Sequence, residues 1–302
     1  RILKGNGMVT DQEIPRSWLW HDGVQSILTD ARISWMTPAL LYGESVFETI
    51  RMENGVPLFM EAHLSRLESS LETLEIEVKD CSQRVLRGIQ ELSVEMEKNI
   101  LWRIRVTVLR DAISMNGLDF KSTDGHVFIT ATSLEVDEDP SGISAKVVNV
   151  KKIPPECLDP SVKHGNYLNN LIAQREARKA GFDAAVMLTM NGDVAESASA
   201  NIFWCRDQNV YTCSREYVLP GITRQWVIEQ CRKQGFQVHE GLFSVKELFL
   251  ADEIFFSSSI QGLAYVSKLD HQSWSDAPGP MTRKLLSLYQ ESCQSMAGRS
   301  VL

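Results

Sequence analysis

The stretch Ser161–Phe203, SVKHGNYLNNLIAQREARKAGFDAAVMLTMNGDVAESASANIF, decides how this chain is read. Lys163 stands just ahead of a helical pattern that begins near Asn166, on which Tyr167, Leu168, Leu171 and Ile172 form a narrow apolar stripe. Gly181 falls where a helix C-terminus calls for a left-handed residue. Ala184–Thr189 then reads as a buried strand, Met190-Asn191-Gly192-Asp193 as a tight hairpin turn, and Asn201–Cys205 as the partner strand. Glu196 lies alone between them. The small residues Ser197–Ala200 follow it and would let a flat group approach the backbone.

Lysine and glutamate in this arrangement have a specific chemical use. Partial desolvation near a helix N-terminus favours the neutral amine, the form that attacks a carbonyl. A carboxylate across the site can keep a pyridine nitrogen protonated, which makes the ring an electron sink. Spacing by itself leaves the plainer reading open, because single lysines and glutamates are ordinarily solvated.

Outward from this stretch, the 302 residues are 43% hydrophobic and 23% charged, enough for a globular chain of two domains. The net charge of −8 is dispersed, so neither a nucleic acid nor an anionic membrane is an expected partner. No apolar run spans a bilayer and no basic-then-apolar leader is visible, which points to a cytoplasmic protein. Six cysteines stand singly, without metal-type spacing, and are expected as reduced, mostly buried thiols. No metal site is expected, and His21 reads as a structural or surface histidine.

Upstream, WLWHDG and the alternation over 24–33 predict short strands and a hairpin. YGESVFETIRM (42–52) alternates as a strand, and Leu64, Leu67, Leu71 and Leu74 form a helical stripe with Arg66 off it. Residues 82–97 read as a second amphipathic helix. Ile100–Val108 alternate strictly, with Arg103 and Arg105 opposite the apolar face. DAISMNGLDFKSTDG (111–125) reads as a mobile loop, and HVFITATSL as a strand. The acidic segment 135–141 is the candidate linker between a domain of residues 1–134 and one of residues 142–302 that carries Lys163. Downstream, LPGITRQ feeds a helix whose free N–H groups and Thr223 hydroxyl suit a phosphate. ADEIFFSSSIQG is a buried strand ending in a serine run, and PMTRKLLSLYQESC is a terminal helix.

In order along the chain, K-x-G-N-Y-L, E-x-x-x-x-N-I-F, L-P-G-I-T-R and A-D-E-I-F-F resemble the signature of the class IV (fold-type IV) pyridoxal-phosphate enzymes. That family includes the branched-chain and D-amino-acid aminotransferases, the R-selective amine transaminases and aminodeoxychorismate lyase. The resemblance runs from about Tyr42 to Asp270. It implies an α/β fold, an α+β small domain and a larger α/β pseudo-barrel domain with pyridoxal 5'-phosphate between them, and a homodimer.

By resemblance, Lys163 is the catalytic lysine that forms the Schiff base with the cofactor. Tyr167 meets the ring hydroxyl and Glu196 the pyridine nitrogen. Arg66, Gly221, Ile222, Thr223, Ser258 and Ser259 hold the phosphate. Tyr42, Phe47, Thr49, Arg105 and Ile260 line the substrate side, although Phe47 also reads as core packing. The activity implied is aminotransfer between an amino acid or amine and a 2-keto acid. Aminodeoxychorismate lyase, eliminating pyruvate to give 4-aminobenzoate, is the alternative; an inactive or non-enzymatic member is a more remote one.

Two departures bear on substrate. The Y-x-R-P motif of branched-chain enzymes is replaced by Arg103-Ile104-Arg105-Val106, and no R-x-H of the D-amino-acid enzymes is present. Thr49 and SSSIQG are closer to lyase-like members.

Overall fold

A computed structural model describes residues 17–27, 36–135 and 142–298. The described chain divides into two compact units. One holds the residues up to 135, Val162–Asn166 and the residues from Cys293; the other holds residues 142–161 and Tyr167–Ser292. Apart from Glu135, the candidate linker lies outside the described residues, as does the end of the alternation over 24–33.

The N-terminal unit is built on a six-stranded antiparallel sheet. Strands β1 (Ser17–His21) and β2 (Val24–Ile27) form a hairpin, followed by helix α1 (Pro38–Tyr42). Then come β3 (Ser45–Glu53), β4 (Val56–Pro57), α2 (Met60–Thr73), α3 (Cys81–Ser93) and β5 (Leu101–Leu109). A small hairpin, β6 (Ala112–Asn116) and β7 (Asp119–Ser122), precedes β8 (His126–Leu134), and the sheet order is β2-β1-β8-β5-β3-β4.

Strand alternation sorts the side chains. Trp102, Ile104, Val106 and Val108 of β5 join Val46, Ile50 and Met52 of β3 in a core closed by Leu67 and Leu71 of α2 and by Val85, Ile89 and Leu92 of α3. The other face of β3 and β5 carries Phe47, Thr49 and Arg51 beside Arg103, Arg105 and Thr107.

The segment 111–125 was expected as a loop, but 112–122 pair as the β6–β7 hairpin. Gly117-Leu118 makes its turn, with Gly117 at φ +62°, a region that glycine enters without cost. The alternation of apolar and polar residues there is too short to show as a strand pattern.

The second unit contains β9 (Ile143–Lys151), α4 (Leu168–Lys179), β10 (Ala184–Leu188), β11 (Val194–Ser197), β12 (Asn201–Arg206), β13 (Asn209–Cys213) and α5 (Ile222–Lys233). They are followed by β14 (Gln237–Gly241), α6 (Lys246–Phe249), β15 (Glu253–Ser258), β16 (Gly262–Leu269), β17 (Gln272–Ser273) and α7 (Pro280–Ala297). The strands form one mixed sheet in the order β11-β10-β9-β16-β15-β12-β13-β14, with β17 on β16. Helix α7 begins on Glu253, whose carboxylate accepts the amides of Met281 at 3.0 Å and Thr282 at 2.7 Å.

Two expectations for the opening stretch change here. The turn at Met190–Asp193 does close a hairpin, but the partner of β10 is Val194–Ser197, and Asn201–Cys205 pairs instead with β13 and β15. Glu196 therefore lies on a strand. On α4, Leu168, Leu171 and Ile172 are 63%, 49% and 46% exposed, while Asn170, Ala173 and Ala177 are buried. Alanines let the helix approach the sheet closely, and Asn170 Nδ2 donates to Ala198 O at 2.8 Å. Gly181, at φ +83°, terminates this helix as expected.

All six cysteines are free; five are buried and Cys157 is exposed. Burial pushes the Cys81 thiol up to about 11 and those of Cys213 and Cys231 to about 12. Native protein treated with a chromogenic disulfide is expected to release one equivalent quickly, from Cys157, and the rest only on unfolding. Cys157→Ser should abolish the fast phase.

Candidate active site

Lys163 belongs to the short segment Val162–Asn166, which packs with the N-terminal unit although it was expected in the C-terminal domain. The reason is main-chain bonding to β3. Phe47 N donates to Lys163 O at 2.9 Å, Gly165 N donates to Ser45 O at 2.8 Å, and His164 bridges Val46. Lys163 N adds a bond to Ser70 Oγ of α2 at 3.4 Å.

These contacts explain the glycine and asparagine of K-x-G-N. A Cβ on Gly165 would lie 2.1 Å from Ser45 Oγ. Gly43, at φ +76°, accepts Asn166 Nδ2 on its carbonyl at 3.3 Å, and a Cβ there would meet Asn166 Oδ1 at 2.3 Å. The helix itself begins at Leu168, with Tyr167 as its N-cap.

Held this way, Lys163 shares a surface with the expected substrate residues of β3 and β5. Its Nζ lies 4.4 Å from the centre of the Phe47 ring, and the Arg105 guanidinium stacks on the same ring at 3.9 Å. Arg105 Nε donates to Thr107 Oγ1 at 3.2 Å, and Thr49 stands opposite Arg105 in the strand register. Phe47 is 6% exposed, so it packs and also forms the floor of this surface. Tyr42 donates its hydroxyl to Gly117 O at 3.0 Å, which fastens α1 to the β6–β7 turn.

Arg66 is not solvated. Its Nε and one terminal nitrogen grip the two oxygens of Glu48 at 2.8 and 2.7 Å, and His63 Nδ1 lies 2.7 Å from the same carboxylate. Glu48 and His63 are each 1% exposed. Burial opposes the charge on Glu48, but Arg66 and then His63 outweigh it and hold the carboxyl at about 2. Burial lowers the value of His63, keeping the ring neutral.

In the second unit Glu196 and Gly221 meet at Asn201. Its Nδ2 donates to Glu196 Oε2 at 3.0 Å and to Leu219 O at 2.9 Å, and its backbone lies opposite Ser257. A Cβ on Gly221 would fall 2.1 Å from Asn201 Oδ1, so the glycine of L-P-G is what lets the start of α5 approach. Glu196, read from sequence as alone, is ion-paired: Lys152 Nζ is 2.6 Å from its Oε1.

At the head of α5, after N-cap Gly221, lie Ile222 and the fully buried Thr223. The hydroxyls of Thr223 and Ser257 are buried without a hydrogen-bond partner. Buried unpaired hydroxyls are costly, and beside the unpaired amides of a helix start they match the oxygens of a phosphate. Ser258 Oγ accepts from Gln261 N at 3.3 Å, and Ser259 and Ile260 are half-buried in the same turn.

Sequence reasoning did not single out Lys152, Ser257, Glu48 or His63. The E-x-x-x-x-N spacing marked Asn201, and strand parity could have preferred Ser257 to its neighbours. Lys152 gave no signal.

The sequence profile described as amino-transferase class IV matches residues 45–269. The chain belongs to the class IV aminotransferase family. It is thereby an enzyme of a pyridoxal-phosphate-dependent class. Among its relatives is the aminodeoxychorismate lyase of Bacillus subtilis, 28% identical over 88% of this chain and 92% of that one. A putative branched-chain-amino-acid aminotransferase of Methanocaldococcus jannaschii is 31% identical over 87% and 91%. The fold matches the branched-chain aminotransferase of Escherichia coli with a TM-score of 0.84 at 26% identity, covering 91% of this chain and 93% of that one. It also matches the branched-chain aminotransferase of the archaeon Thermoproteus uzoniensis, solved with norvaline, with a TM-score of 0.80 at 25% identity, over 94% and 96%.

Glu48 gives a pH test. Its value in the fold lies below the ordinary 4.5, so its stabilisation is complete above that pH and is lost as pH falls toward 2. Glu48→Gln is expected to cost roughly 3 kcal/mol at neutral pH and to flatten the acid limb between pH 5 and 2. Denaturant melts of both proteins across that range measure it.

Proposed function

We propose that this aminotransferase moves an amino group between an amino acid or amine and a 2-keto acid, with Lys163 as the amine that holds the cofactor. The observation that carries the reading is the placement of Lys163 by backbone bonds on the strand face of Phe47, Thr49 and Arg105. When bound, pyridoxal phosphate supplies a protonated pyridine ring that takes up the electron pair released at the substrate Cα.

The chain's own groups divide the remaining work. Lys163 holds the aldehyde carbon of the cofactor and, once displaced by the incoming amine, moves the proton at Cα. Glu196 keeps the ring nitrogen protonated, and Lys152 and Asn201 hold its carboxylate in one orientation. Tyr167 meets the ring hydroxyl. Gly221, Ile222, Thr223, Ser258 and Ser259 receive the phosphate; the unpaired hydroxyls of Thr223 and Ser257 support that reading. Arg66 adds charge there, its guanidinium held in one orientation by Glu48. Tyr42, Phe47, Thr49, Arg105 and Ile260 receive the substrate, with Arg105 placed for a carboxylate.

A second reading, pyruvate elimination from aminodeoxychorismate, is favoured by one specific feature. Thr49 stands in register beside Arg105 on the face of Lys163, where its hydroxyl can relay a proton. Titration of cofactor-loaded protein with single donors separates the two. The panel is L-leucine, L-glutamate, D-alanine, an R-amine and aminodeoxychorismate. A visible absorbance band that one simple donor bleaches, with its keto acid released, is expected for transamination. Pyruvate formed from aminodeoxychorismate alone would make it the lyase. A band retained in Lys163→Ala would remove the assignment of the lysine.

The exposed Leu168, Leu171 and Ile172 of α4 support a homodimer, since such an apolar face is normally covered. Light scattering should give twice the chain mass, and a monomer at micromolar concentration would rule this out. Among the described residues no helix is long and apolar enough to cross a membrane, and the free thiols fit a cytoplasmic site.

A further inference from the structure

His21, Asp22 and His126 meet at the edge of the N-terminal unit, where the β1–β2 turn abuts the start of β8. His21 Nε2 lies 3.2 Å from His126 Nδ1 and 3.3 Å from Asp22 Oδ2, and His126 Nδ1 lies 3.2 Å from the same oxygen. The three atoms form a nearly equilateral triangle. In a tetrahedral site with metal–ligand bonds of about 2.0–2.1 Å, ligand atoms are about 3.3–3.4 Å apart. The triangle is thus one face of such a tetrahedron, already assembled.

We infer that this cluster binds one zinc-class divalent cation, with water in the fourth position, unrelated to the aminotransfer chemistry.

The surroundings fix each ligand. Asp111 Oδ2 sits 3.3 Å from His126 Nε2, the nitrogen facing away from the triangle, as an outer carboxylate does for a metal-bound imidazole. The His21 ring stacks on Phe128 with centres 4.0 Å apart. Asp22 Oδ1 is bound by Arg84 and, at 3.3 Å, by Val127 N, which leaves Oδ2 toward the two imidazoles. Arg84 also reaches Asp124 at 3.4 Å. Asp22 and Asp124 share the Arg84 guanidinium, and with Asp111 beside His126 three carboxylates stand around the two imidazoles. Side chains of His21, Asp22 and His126 are 31%, 26% and 38% exposed, so an ion reaches them from solvent. Sequence spacing conceals the site, because 105 positions separate the two histidines. A bound ion would clip the hairpin to β8.

The test uses the full chain, stripped with chelator, desalted and titrated with Co²⁺ and Zn²⁺. The expected result is one ion per chain, with the visible spectrum of four-coordinate Co²⁺ displaced by Zn²⁺. His21→Ala and His126→Ala should each weaken binding at least tenfold, and Asp111→Asn about tenfold. Cys157→Ser should bind as the unsubstituted chain does. Absence of binding up to about 1 mM, or binding that survives both histidine substitutions, overturns the site. Should the variants unfold, hydrogen exchange on the unsubstituted chain decides. Zn²⁺ is expected to slow exchange in peptides covering β1, β2 and the start of β8, and unchanged exchange there overturns the proposal.

Discussion

The rest of the structure depends on the main-chain bonding of Val162–Asn166 to β3. A lysine is a long, flexible side chain, and its reach is useful only if its Cα is fixed. Bonds from Phe47 N and Gly165 N fix it by backbone, so the position does not rely on packing of the residues nearby. The strand then fixes everything else on that surface through alternation: once Ser45 and Phe47 are engaged, Thr49 and its neighbour Arg105 follow. Phe47 is the hinge of the arrangement, since both Lys163 and Arg105 lie on its ring.

Asn201 plays the corresponding part in the other unit. One amide ties Glu196, the carbonyl of Leu219 and the approach of Gly221, while the strand below brings Ser257 opposite. A carboxylate as buried as Glu196 needs a counter-charge, and Lys152 provides it at the end of β9. Glu48 with Arg66 and His63 repeats the solution in the first unit. In both places a buried anion is oriented by a cation and a neutral donor.

Much of this was legible in the sequence because local chemistry and global fold agree. Strict alternation in β5, the leucine stripe of α2 and Gly181 after α4 each reflect one dominant force, and each was read correctly. What escaped reading was set by distant partners. The apolar residues of α4 face outward because alanines let the opposite side lie closer to the sheet. The partner of β10 proved to be the short strand carrying Glu196, since a few residues suffice to pair where a turn supplies the register. Lys152, His63 and Glu48 acquire their meaning from residues far along the chain, and no periodicity records that. The substrate stays unread for the same reason, since it depends on a few side chains whose company is decided by folding.

The sorting of side chains on β3 has a consequence for how this family member can change. Glu48 faces inward to Arg66 while Phe47 and Thr49 face outward, so adjacent positions belong to different tasks. Parity, more than identity, is the inherited quantity. Loss or gain of a single residue in this strand would exchange the buried anion for the aromatic floor and disable both at once. A change of two residues would return each side chain type to its own face. Length variation along this strand is therefore quantised in pairs, and drift in substrate must proceed by substitution on the outward positions.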